Sequence, residues 1–142
     1  MFGSDYQTSE ALAWSKTIAR LDGFIFITPE YNRGVTASQK NAIDYLYGEF
    51  VNKAAGIVSF GSGGGGSAGH ALREIMVTLQ VATVQCQPSF NLFTDFKDMK
   101  DFTPSSAHDR SIVSMLEQVE SWSSAFKPLR EGTGKTDSIT TA

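Results

Sequence analysis

At 142 residues with 41% hydrophobic and 11% aromatic content, the chain is long enough to bury one core and too short to expect two domains. A net charge of −3, with acids and bases interspersed, excludes the basic footprint of a nucleic-acid binder or of a protein held on an anionic membrane. No apolar run approaches the roughly 20 residues of a spanning helix, MFGSDYQ lacks the regions of a secretory signal, and Cys86 is the single cysteine, so a cytoplasmic, reducing setting is expected.

In chain order, residues 8–21 read as a helix, capped by Thr8 or Ser9, with Ala11, Trp14, Ile18 and Leu21 recurring on one face. Asp22-Gly23 stops it. The run over 24–28 is apolar at consecutive positions, the pattern of a strand buried on both faces in a parallel sheet. Pro29 ends that strand, and Asn32 and Gly34 suit the unusual dihedrals of a tight loop. A second helix runs from Thr36 or Ser38 to about Tyr47, with Ile43, Leu46, Tyr47 and Phe50 apolar, and Lys40, Asn41 and Asp44 reading as helix and capping residues. A strand over 55–60 follows, then a helix over 68–79 with Leu72, Ile75, Met76 and Leu79 inward, and a short strand at 82–86. Residues 89–104 read as loop. The last helix spans 107–126, carrying Ile112, Met115, Leu116, Val119, Trp122 and Phe126, before Pro128 ends it. Residues 1–130 thus form one domain, and 131–142 a small, polar, disordered tail.

Strand, loop, helix, strand and loop over 24–66 make one parallel crossover unit whose two loops, TPEYN and GSGGGG, emerge on the same edge of the sheet. Open α/β sheets bind ligands there. The glycine cluster admits three readings. A flexible linker is disfavoured by the strand directly before it and the helix directly after. A dinucleotide fingerprint on Gly61, Gly63 and Gly66 lacks the acid it wants near the next strand. Bare backbone lying close against a flat ligand, which only glycine permits without collision, suits its place beside TPEYN. His70 and His108 have no ligand-spaced partners, so no metal site is expected, and both read as solvated surface positions.

The run ITPEYN (27–32), followed by KNAIDYLY (40–47), a strand and SFGSGGGG (59–66), resembles the NADPH-dependent FMN reductase family, closest to its fungal quinone reductase-like branch. The resemblance covers roughly residues 8–87. It implies a flavodoxin-like three-layer α/β sandwich with a parallel sheet, here truncated, FMN bound non-covalently, and hydride from NADPH or NADH. It further implies ping-pong transfer to a quinone, azo compound, free flavin or similar small acceptor, and a homodimer or homotetramer. Carried over residue by residue, Pro29, Glu30, Tyr31 and Asn32 lie along the flavin ring, joined by Gly61, Ser62 and Gly63. No side chain is expected as a catalyst, because the cofactor does the chemistry and the protein supplies platform and orientation.

The resemblance also implies a first strand and a phosphate-binding loop of the Gly-Ser-x-Arg type, which do not precede Tyr6 in this sequence. The expectations that follow are an apolar edge at residues 24–28, and flavin affinity that is weak and little dependent on the phosphate. A catalytically silent remnant or oligomerisation partner without bound flavin is the alternative reading.

Overall fold

The structure, a computed structural model, describes residues 6–133. These form α1 (Ser9–Ala19), β1 (Gly23–Pro29), α2 (Ala37–Asp44), β2 (Lys53–Gly61), α3 (Gly66–Thr78), β3 (Val81–Thr83), β4 (Ser89–Asn91), β5 (Phe96–Lys97), β6 (Asp101–Phe102) and α4 (Asp109–Arg130). The expected crossover is present: β1 and β2 are parallel, paired from Gly23↔Ala54 to Pro29↔Phe60. Phe24, Ala55 and Ile57 meet Ile18, Ile43, Leu72 and Met76 from α1, α2 and α3 in one core, whereas Gly56 lies against Met115 and Val119 of α4. Helices therefore cover both faces, in the expected flavodoxin-like layering. Thr8 Oγ1 accepts Ala11 N–H at 3.2 Å and Thr36 Oγ1 accepts Gln39 N–H at 3.1 Å, each satisfying a helix donor that no intrahelical carbonyl reaches.

The strand over 24–28 is not buried on both faces. β1 is a sheet edge, α4 packs chiefly over β2, and Ile27 is left 63% exposed with Ile25 beside it. The strand expected over 82–86 ends at Thr83, and β4 stands where loop was expected. β3 pairs with the start of β2, β4 with its end, and between the two registers β2 advances four residues (Ala55 to Ser59) while its partner advances six (Thr83 to Ser89). Val84 N–H still donates to Ala55 O at 2.9 Å and Pro88 O accepts Ser59 N–H at 3.0 Å, so it is residues 85–87 that bow out, as a bulge of two extra residues. Arg73 holds them there, its guanidinium donating to Val84 O at 2.8 Å, Thr83 Oγ1 at 3.1 Å and Gln87 Oε1 at 3.2 Å.

Where loop was expected, β5 and β6 form an antiparallel hairpin. Its turn places Asp98 and Met99 at φ 51° and 54°, with Lys100 N–H donating to Lys97 O at 3.0 Å. This type I′ geometry contains no glycine, so its usual sequence signal is missing. Pro128 does not end α4, which runs on to Arg130. Pro128 costs the last turn one N–H and crowds the carbonyl a turn before it, and the Arg130 guanidinium offsets this by tying that turn to the body through Asn52 O, at 2.7 Å, and Asp22. Of the apolar residues that marked this helix, Leu116 and Trp122 are exposed. The tail expected over 131–142 lies outside the described residues from residue 134 onward. Among the described residues, no helix is long and apolar enough to cross a membrane.

Candidate functional site

At the carboxyl ends of β1 and β2 the two expected loops lie side by side. Glu30 N–H donates to Phe60 O at 2.9 Å, and Glu30 Oε2 accepts the N–H groups of Ser67 and Ala68 at 2.9 and 3.3 Å. The N-cap of α3 is Gly65, which has no side chain to offer, so a carboxylate from the other loop satisfies those donors and meets the positive end of the helix.

Beyond Glu30 the chain reverses in a four-residue turn. Tyr31 N–H donates to Gly34 O at 3.1 Å and Gly34 N–H to Tyr31 O at 3.0 Å, with Asn32 at φ 49° and Arg33 at φ 65°. Two successive positive φ values define a type I′ turn. Asn32 was expected in the left-handed region; its companion is Arg33 and not Gly34. Pro29 and Glu30 are half-buried, whereas Asn32 is exposed and the Tyr31 ring is 66% exposed.

The glycine cluster is not a linker. Gly61 is the last residue of β2, and Gly64 N–H donates to Gly61 O at 3.1 Å, closing a turn over exposed Ser62 and Gly63. Gly65 has φ 75°, and a Cβ there would stand 2.7 Å from the Phe60 backbone, so both conformation and space require glycine. At Gly63 nothing lies within 4 Å of where a Cβ would stand. The outward parts are thus the Tyr31 ring, the Asn32 side chain and the Ser62–Gly63 backbone. An aromatic surface beside bare backbone fits a flat ring system, while Glu30 is committed to holding the two loops together.

A second group adjoins this edge. Asp95, 5% exposed, accepts Asn91 N–H at 2.8 Å on Oδ2, and His108 Nε2 lies 2.8 Å from its Oδ1. The Asn91 N–H holds the Asp95 carboxyl below its ordinary range; burial opposes this and the His108 bond adds to it. Asn91 Nδ2 in turn donates to Ser62 O at 3.0 Å. His108 is therefore not a solvated surface residue: its ring also packs at 4.5 Å, centre to centre, on Phe90. His70 is exposed, as expected. No local pattern reveals the His108–Asp95 pair, because the β5–β6 hairpin folds back between its members.

A cleft of about 1000 Å³ lies at the opposite, amino edge, where its walls include Tyr6, Tyr45, Glu49, Lys53 and Arg130. Its charges are occupied structurally. Lys53, 3% exposed, donates from Nζ to Ile18 O at 2.7 Å and Ala19 O at 3.1 Å, closing the end of α1, and burial pushes its ammonium down to about 8. Glu49 accepts the hydroxyls of Tyr6 at 2.6 Å and Ser15 at 2.5 Å; burial raises its carboxyl, but these bonds outweigh that and hold it below the usual range. Open sheets bind ligands at the other edge, and the loops there carry the unspent backbone and aromatic surface.

The family model described as NADPH-dependent FMN reductase matches residues 2–95. The chain is 40% identical over 96 residues to an NAD(P)H-dependent FMN reductase of Schizosaccharomyces pombe, covering 67% of this chain and 48% of that one. Over 98 residues it is 36% identical to a quinone reductase of Pseudomonas putida, covering 61% of this chain and 53% of that one. The chain spans about half the length of the curated relatives it matches. Among solved structures, the flavoenzyme NAD(P)H:(acceptor) oxidoreductase of Paracoccus denitrificans superposes with a TM-score of 0.60 at 19% identity, covering 89% of this chain and 75% of that one, a likeness of fold.

Proposed function

The chain belongs to the NADPH-dependent FMN reductase family, and from that premise we propose that it holds FMN at the carboxyl edge of its sheet and passes reducing equivalents from NAD(P)H to a quinone, azo compound, flavin or similar small acceptor. The observation that carries this reading is the Glu30 carboxylate on the α3 N-terminus, which draws the TPEYN turn and the glycine turn into one surface. Bound FMN supplies the hydride and electron transfer. The chain's own residues bind and orient it. Pro29 and Glu30 fix the turn, Tyr31 offers an aromatic face, and Asn32 offers both a donor and an acceptor to a polar ring edge. Ser62 and Gly63 contribute close backbone approach, with no Cβ at 63 to hold the ring off, and buried Gly61 lets the turn that carries them pack against Glu30.

The proposal extends to a homodimer or homotetramer in the cytoplasm, with residues 1–130 as one domain. Exposed Ile25, Ile27, Val113 and Leu116 supply apolar surface for such contacts, and light scattering tests them. The functional test is titration of the purified chain with FMN, followed by flavin fluorescence, together with NAD(P)H oxidation in the presence of a quinone. Saturable quenching and quinone-dependent oxidation are expected. A chain that neither quenches FMN nor oxidises NAD(P)H after reconstitution overturns the reading.

A further inference from the structure

We propose that His108 is a positioning residue for the glycine turn, acting through Asp95 and Asn91 on the Ser62 carbonyl. The line of hydrogen bonds is continuous: His108 Nε2 to Asp95 Oδ1 at 2.8 Å, Asn91 N–H to Asp95 Oδ2 at 2.8 Å, Asn91 Nδ2 to Ser62 O at 3.0 Å. Each joint is braced. Asn91 Oδ1 accepts Phe93 N–H at 2.8 Å, so the side-chain amide cannot turn over without breaking a bond, and Leu92 N–H donates to Gly61 O at 3.0 Å. The Asp95 backbone accepts Thr103 N–H and donates to Asn91 O, both at 2.9 Å, which ties the hairpin to the same point. Asp95 is buried, so its carboxylate needs these donors, and His108, the residue just before α4, supplies one from beyond the hairpin.

The consequence lies in the peptide joining Ser62 to Gly63. In a trans peptide the carbonyl of one residue and the N–H of the next point in opposite directions. Holding Ser62 O towards Asn91 therefore aims the Gly63 N–H away from Asn91. Glycine at 63 would otherwise let this plane rotate, since it restricts the backbone least. On the reading proposed above, that N–H belongs to the backbone that meets the flavin.

The test compares amide NMR spectra of the flavin-free protein carrying His108→Leu, His108→Gln or Asn91→Ala. Leucine removes the donor to Asp95, whereas glutamine restores a nitrogen near the Nε2 position. His108→Leu and Asn91→Ala should shift the same Gly63 and Gly64 resonances, and His108→Gln should leave them close to wild type. Each breaking variant should weaken FMN binding about fivefold, as for one lost hydrogen bond, and the double variant should bind no more weakly than either single one, as members of one line must. Gly63 and Gly64 resonances that move in Asn91→Ala but stay in place in His108→Leu would overturn the proposal, as would additive losses in the double variant. If wild type binds no FMN, the resonance shifts still decide the matter, and it is the flavin reading that fails. Should His108→Leu not fold, His108→Phe keeps a ring against Phe90 while removing both nitrogens, and carries the same expected and overturning results.

Discussion

Glu30 caps a helix from far back in the chain: its Oε2 stands 2.9 Å from the N atom of Ser67, 37 residues later, where Thr8 and Thr36 perform the same service for their own helices. Glu30→Ala should cost about 1–2 kcal/mol, like loss of an N-cap, and Glu30→Gln, which keeps an acceptor but no charge, about 0.3–1 kcal/mol. Urea unfolding measures both. Equal losses for the two variants would mean that the charge, and not the bond, is what α3 feels.

Gly65 and Gly63 should part company. A Cβ at 65 meets the Phe60 backbone from a positive φ, so Gly65→Ala should destabilise by about 2 kcal/mol or more. Gly63→Ala meets no atom and should leave stability within about 0.5 kcal/mol while weakening flavin binding. Calorimetry and a flavin titration on both variants check the split.

Tyr31 offers the cleanest separation of function from folding. With its ring 66% exposed, Tyr31→Ala should change stability by no more than about 0.5 kcal/mol. Loss of an aromatic contact with a bound ring should nonetheless weaken FMN by about 1 kcal/mol, roughly fivefold. Unchanged affinity would remove Tyr31 from the site.

Burial lowers the Lys53 ammonium from 10.5 to about 8, so between those values the unfolded chain binds more protons than the folded one. The stability contributed by this group must then rise with pH across that window. Tyr6 works the other way: its pKa is raised above 10, chiefly by burial and then by Glu49, so it weakens the fold above pH 10. The gain from Lys53 should therefore show between pH 8 and 10 in urea midpoints, and Lys53→Met should abolish the rise.

Ile27 stands exposed on the edge strand, where apolar side chains invite another strand. Ile27→Lys should suppress self-association at high concentration while shifting the unfolding midpoint little. Light scattering against concentration decides it; unchanged association would move the contact surface elsewhere, to α4 for instance.

What the sequence made legible was local. The apolar run at 24–28 and the alternation of strand and helix over 24–66 declared the crossover, and Thr8 and Thr36 declared their helices by side chains that reach three residues on. The placement of Tyr31, Asn32, Gly61, Ser62 and Gly63 on one edge followed from that topology alone. What stayed hidden depends on partners far along the chain. The split between β3 and β4 is held by Arg73, ten or more residues away from the atoms it grips. The one-sided burial of β1 reflects where α4 lies, which no pattern within 24–28 records. The role of Glu30 had a faint trace: a helix starting at a glycine, uncapped, beside a loop that carries an acid. His108 and Asp95 had none, because a glycine-free turn at Asp98 and Met99 brings them together.

The interruption at residues 85–87 divides the sheet's cooperative behaviour as well as its outline. β3 and β4 are separate three-residue splices onto β2, so neither need open for the other to do so. The upper splice shares Asp95 with the hairpin and with His108 just before α4, and its Asn91 reaches the glycine turn, so these parts should open as one unit. Solvent deuterium should enter the β4 and β5–β6 amides together and sooner than those of central β2. The edge proposed to hold the flavin would then open at lower cost than central β2, and occupancy there should slow exchange throughout that unit while leaving the β3 splice unchanged.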